Sequence, residues 1–176
     1  MYVVTGMARS GTSMMMQTLI HLGIETPAKP FLKEHNPIKD KNPKGFYELY
    51  EEVKGGIQHD NYKGQAVKLF GGSLLKTPSE YISKMIVMKR NKEDCLKSYT
   101  PIWEIMKDGY TPEYIYDANY IIIDEYVKKV SHIFINFEEL VLAPDYEIMK
   151  VINFLEINPT KKQISNAIKN IEICRY

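Results

Sequence analysis

Gly6 and Gly11 bracket Met7, Ala8, Arg9 and Ser10, and Thr12 and Ser13 follow directly, so the stretch GMARSGTS combines backbone freedom, hydroxyls and one guanidinium. In a strand-to-helix turn, glycines let the main chain approach an anion, and free amides at the helix start donate to its oxygens. Ser10, Thr12 and Ser13 add hydroxyl donors, and Arg9 adds a planar charged fork suited to a phosphate-like group. The glycine spacing is that of the G-x-x-x-x-G-K-[ST] loop, but Thr12 stands where that loop carries lysine. A triphosphate held with magnesium uses that lysine, whereas here the positive charge has moved to Arg9. The residues alone leave three readings: a loop for a different phosphate-bearing ligand, a structural turn, or a degenerate triphosphate site. The dinucleotide pattern G-x-G-x-x-G does not fit these glycines.

Such a loop works only where a strand delivers it and a helix receives it. YVVT before Gly6 is short, apolar and β-branched, and predicts a buried strand; TSMMMQTLIHLG, with Met15, Met16, Leu19, Ile20 and Leu22 apolar and Gly23 as a stop, predicts a helix. Met14 to Met16 read as helix core. Residues 24 to 46 hold four prolines and predict a long loop, and FYELYEEVKGGI predicts a helix stopped by Gly55 and Gly56. AVKLF, ended by Gly71 and Gly72, and KMIVMKR, ended by Asn91, predict parallel strands separated by a helix around Pro78 to Ser83. Helices are expected over residues 91 to 107 and 112 to 130, then a strand at HIFINF. DYEIMKVINFLEI predicts an amphipathic helix capped by Asp145, and a terminal helix is expected near residues 160 to 169. Alternating strands and helices imply an α/β fold of three layers, with a short central parallel sheet flanked by helices.

The totals set the outer limits. A chain of 176 residues, 44% hydrophobic, suits one compact domain over residues 1–176. A net charge of +1 gives no general reason to expect nucleic acid, and the thirteen tyrosines are scattered without a basic strand pattern. Seven of the nine charged residues from Asp60 to Lys92 are basic, which is compatible with a positive wall beside an anion site. Cys95 and Cys174 make neither a disulfide framework nor a Cys-rich metal site, and Cys95 has no sequence-local histidine to activate it. His21, His35, His59 and His132 are dispersed and form no H-E-x-x-H motif, so no metal is expected. Without a basic leader or an 18-residue apolar segment, the expectation is a cytoplasmic protein with no membrane span. No feature fixes its oligomeric state.

Four segments, in order, carry a resemblance to the sulfotransferase family. RSGTS, Arg9 to Ser13, resembles the family's 5′-phosphosulfate loop. VMKRNKEDCLKSY resembles its second signature, in which a strand ends in arginine and a serine follows eight residues later, here Arg90 and Ser98. NFEELVLAPDYEIMKVINFLEI and NPKGFYE are similar to a later strand, acidic turn and helix and to a segment between the first two signatures. The resemblance implies a P-loop-like α/β fold, in a protein that uses 3′-phosphoadenosine 5′-phosphosulfate without metal, releases 3′,5′-bisphosphoadenosine, and sulfates the hydroxyl or amine of a small-molecule or carbohydrate acceptor. Arg9, Ser10, Gly11, Thr12 and Ser13 would surround the 5′-phosphosulfate, and Arg90 and Ser98 the 3′-phosphate. Glu93 departs from the pattern, standing where members often place proline and further basic character.

Departure of a sulfuryl group builds charge on the bridging phosphate oxygen, which donors near Gly11 to Ser13 can stabilise. Lys68 is the expected helper, because the end of AVKLF would lie beside the first loop and because the family often has a lysine in a comparable strand. The acceptor must lose a proton, for which Glu48, in the resembling NPKGFYE stretch, is the first candidate and His59 and His35 are alternatives. Two other readings stay open: an atypical P-loop kinase acting on a small molecule or nucleotide, and a noncatalytic nucleotide-binding module.

Overall fold

The structure is a computed structural model that describes residues 1–28, 47, 49, 56–57, 60–106 and 109–173. Its centre is a sheet of four parallel strands, β1 (Tyr2–Gly6), β2 (Ala66–Lys68), β3 (Lys84–Lys89) and β4 (His132–Asn136), in the order β2-β1-β3-β4. Side chains alternate across the pleat, yet both faces are apolar. Val4, Ile86 and Met88 point into one core, and Val3, Met85 and Val87 into the other. Burial on both faces is why these segments read as nearly continuous apolar runs.

One face is covered by α1 (Thr12–His21), α5 (Phe137–Leu142), α6 (Pro144–Leu155) and α7 (Lys161–Ile173), which contribute Met14, Met15, Met16, Leu19, Leu140, Ile148, Val151 and Ile171 to its core. The opposite face is covered by α2 (Gly71–Leu75) and α4 (Pro112–Val127) through Leu74, Ile123 and Tyr126. A smaller cluster, Met7, Cys95, Tyr99 and Ile102, packs α3 (Lys92–Met106) beneath the loop that leaves β1. The fold is therefore the three-layer α/β arrangement that the alternation implied.

Four local expectations are corrected. Gly71 and Gly72 do not merely stop a strand; they open α2, because the Ser73 hydroxyl takes the Phe70 amide at 3.1 Å and donates to the Phe70 carbonyl at 3.0 Å. The helix expected around Pro78 is one 3-10 turn, Ser79–Tyr81. Asp145 lies in the first turn of α6 instead of capping it: Ala143 is the cap and Pro144 occupies the first helical position, where its missing N–H costs nothing. The segment read as an acidic turn is α5, whose start is capped by Asn136 Oδ1 accepting from the amides of Glu138 and Glu139 at 2.9 and 3.1 Å. The loop over residues 24 to 46 lies mostly outside the described residues, and the helix expected at FYELYEEVKGGI mostly so.

Strand order decides where a ligand can sit. The chain leaves β1 for β2 on one side and then crosses to β3 on the other, so connections diverge between β1 and β3. A crevice opens at the carboxyl ends of strands at such a switch point. Arg9 follows β1 and Arg90 follows β3, on the two sides of that crevice.

Candidate functional site

The loop after β1 is shaped by left-handed backbone. Gly6 has φ 147°, and a Cβ there would stand 2.6 Å from the Met88 carbonyl oxygen of the neighbouring strand. Arg9 has φ 74° and Gly11 has φ 97°, and the Ser10 amide closes a turn onto the Met7 carbonyl at 3.0 Å. Gly11 is the N-cap of α1 and brings no side chain to the helix start, where the first amides have no intrahelical acceptor and the helix dipole is positive. Ser10 and Thr12 are buried, and Ser10 Oγ is tucked against Gly6 with no hydrogen-bond partner among the described residues.

Lys68 ends β2 beside this loop. Its side chain is buried, and Nζ donates to Ser13 Oγ at 3.1 Å across 55 residues of chain while lying 5.1 Å from the Phe70 ring centroid. An ammonium removed from water is retained where polar partners and negative charge compensate it.

The third group joins β1 to β3. Arg9 Nε donates to Ser98 Oγ at 3.0 Å, and Arg90 Nη1 donates to the Arg9 carbonyl at 2.9 Å. Burial, and then the adjacent Arg90 guanidinium, lower the Arg9 pKa from its ordinary value. Arg90 Nε is itself buried and has no hydrogen-bond partner among the described residues. Two guanidiniums held this closely, with uncapped amides and a buried lysine alongside, form a site that an anion with more than one charged group would stabilise. The tertiary structure thus brings together Arg9, Gly11, Ser13, Lys68, Arg90 and Ser98. Glu48, His59 and His35 lie outside the described residues.

Residues 2–174 match the model of the sulfotransferase domain family. The chain belongs to this family. Among solved structures it is similar to mouse sulfotransferase SULT7A1 complexed with PAP, with a TM-score of 0.60 at 15% identity; the match covers 98% of this chain and 63% of that one, and at this identity the likeness is one of fold. No curated protein sequence matches the chain.

A sulfotransferase-family loop in this setting needs support that spacing did not reveal. Cys95 Sγ donates to the Ala8 carbonyl at 3.3 Å, and Tyr120 Oη donates to the Met88 carbonyl at 3.0 Å, so both prop the ends of β1 and β3. Burial raises both their pKa values, that of the thiol to about 11. Cys95 is therefore a neutral structural thiol: native protein at pH 8 is expected to leave it unmodified by iodoacetamide, with labelling only after denaturation, as peptide mass spectrometry would show. Because the folded pKa is raised from 9.0, the thiol's contribution to stability is complete below pH 9 and is lost as pH climbs toward 11.

The basic residues between Asp60 and Lys92 do not form one wall. Lys84 pairs with Glu156 at 3.0 Å and Lys92 with Asp117 at 2.6 Å, whereas Lys68 and Arg90 reach the site. Glu93 is exposed in the first turn of α3, where its charge suits the helix dipole. Among the described residues no cluster of His, Cys, Asp or Glu could hold a metal ion, and no helix is long and apolar enough to cross a membrane.

Proposed function

We propose that this protein transfers the sulfuryl group of 3′-phosphoadenosine 5′-phosphosulfate to a hydroxyl or amine of a small-molecule or carbohydrate acceptor. The observation that carries the reading is the Arg9, Ser98 and Arg90 cluster, which ties the loop after β1 to the end of β3 and leaves a buried guanidinium N–H for a ligand. A triphosphate-binding loop has no use for a second cationic pocket at that position; a donor with phosphates at both ends of its ribose does. When bound, the donor supplies an activated sulfuryl group and leaves as 3′,5′-bisphosphoadenosine.

The residues present fit that donor. The amides at the start of α1 and the Ser13 hydroxyl face the 5′ end, and Lys68 offers its charge there as negative charge develops. Arg90 and Ser98 hold the 3′-phosphate, with Arg9 between the two ends. Glu48 or His59 accepts the acceptor's proton in this reading, and residues 1–176 act as one domain in the cytoplasm without metal.

The test is calorimetric titration with 3′,5′-bisphosphoadenosine, adenosine diphosphate and adenosine triphosphate, each with and without magnesium. The expected result is a preference of at least about tenfold for the bisphosphate, indifferent to magnesium, since a charge-assisted phosphate contact is worth more than ~1.4 kcal/mol. Magnesium-dependent binding of the triphosphate at equal or better affinity would establish the kinase reading instead.

A further inference from the structure

Phe137 belongs to neither of the two nucleotide signatures, yet it touches both halves of the site. It is the first residue of α5, and the Arg90 guanidinium carbon lies 4.5 Å from its ring centroid. The ring also covers Gly11: a Cβ added there would come within 2.7 Å of Phe137 Cδ2. Only a residue without a side chain at position 11 admits the ring beneath Arg90.

The ring cannot drift, because its backbone is clamped on both sides. Asn136 caps α5 through the amides of Glu138 and Glu139, and Glu138 Oε1 accepts the amide of Asn91, the residue after Arg90, at 3.1 Å. Arg90 is thereby held at two points, with one donor left over. One face lies on the ring, Nη1 is committed to the Arg9 carbonyl, and Nε is buried with no hydrogen-bond partner among the described residues. A guanidinium on a long stem would otherwise sample many rotamers, and holding it before ligand arrives removes that ordering cost from binding.

We infer that Phe137 is a positioning residue that holds the Arg90 guanidinium in the plane required for the 3′-phosphate, and so sets how strongly the protein distinguishes 3′,5′-bisphosphoadenosine from adenosine 5′-monophosphate. The inference rests on the donor site proposed above. It assigns the aromatic ring a role in ligand discrimination beyond its packing in the core under α1.

The experiment measures the affinity ratio for these two nucleotides in wild type, Phe137→Leu, Phe137→Met and Phe137→Tyr, with thermal melts alongside. Loss of a cation–π contact is expected to reduce the ratio about fivefold to thirtyfold in Phe137→Leu and Phe137→Met, while monophosphate affinity changes less than about threefold. Phe137→Tyr, which keeps the ring, is expected to retain the wild-type ratio, and in an Arg90→Ala background Phe137→Leu is expected to leave the ratio unchanged. An unchanged ratio in folded Phe137→Leu or Phe137→Met, equal losses for both nucleotides, or failure of tyrosine to substitute overturns the inference alone. A wild-type protein without preference for the bisphosphate overturns the donor site and this inference together.

Discussion

Arg90→Ala is expected to weaken binding of 3′,5′-bisphosphoadenosine by about a hundredfold to ten-thousandfold while changing affinity for adenosine 5′-monophosphate by less than tenfold. Two charge-assisted hydrogen bonds to a phosphate contribute roughly 1.5 to 3 kcal/mol each, and in the proposed site the second phosphate is where they are made. The same side chain staples the loop through the Arg9 carbonyl, so some loss at the 5′ end accompanies the main effect. That staple is a single bond of about 1 kcal/mol, which corresponds to a melting shift of roughly 2 to 4 °C in a chain of this size. Calorimetry of the two nucleotides against wild type and variant reads both numbers. Equal weakening of both ligands would remove the 3′-phosphate from Arg90.

Lys68→Met is expected to act on the chemical step. The substitution keeps a long apolar stem and removes the charge that Nζ places 3.1 Å from Ser13 Oγ. A preorganised donor aimed at developing negative charge is worth about 10²- to 10³-fold in turnover, because it acts most strongly when the charge forms. Release of 3′,5′-bisphosphoadenosine from the sulfate donor, followed over a panel of alcoholic, phenolic and amine acceptors, is expected to fall by that factor, with bisphosphate affinity reduced less than tenfold. Full turnover in a folded Lys68→Met protein would leave Lys68 as a structural lysine that only orders Ser13. A matching fall in affinity and turnover would make it a ligand-binding residue with no special part in the transition state.

The strands and most helices were legible because their signals are local. Val3 and Val4, or Met85 through Met88, are apolar whichever face they take, and that is what a strand buried on both sides requires. The failures were local too, but of another kind. Gly71 and Gly72 read as a break because glycine lowers helix propensity, and α2 forms there because Ser73 and Asn119 supply hydrogen bonds, the latter accepting the Gly71 amide at 2.6 Å from α4. Asp145 read as a cap because its type is right, but Pro144 starts the helix one residue earlier.

By itself the sequence determined the local frame of the first loop: glycines at positions 6 and 11 between an apolar strand and an apolar helix specify a strand-turn-helix unit through local chemistry, while the residues alone left open whether that turn serves an anion. The pairing of Arg90 with Ser98 came from the resemblance to the sulfotransferase family, in whose second signature an arginine ends a strand and a serine follows eight residues later. Only the tertiary structure decided that this segment reaches the first loop, with Arg9 on Ser98 across 89 residues, that Lys68 is buried against Ser13, and that Phe137 lies under Arg90 and over Gly11. Those contacts depend on the strand order β2-β1-β3-β4, which sets which strand ends are neighbours; spacing along a chain carries no record of it.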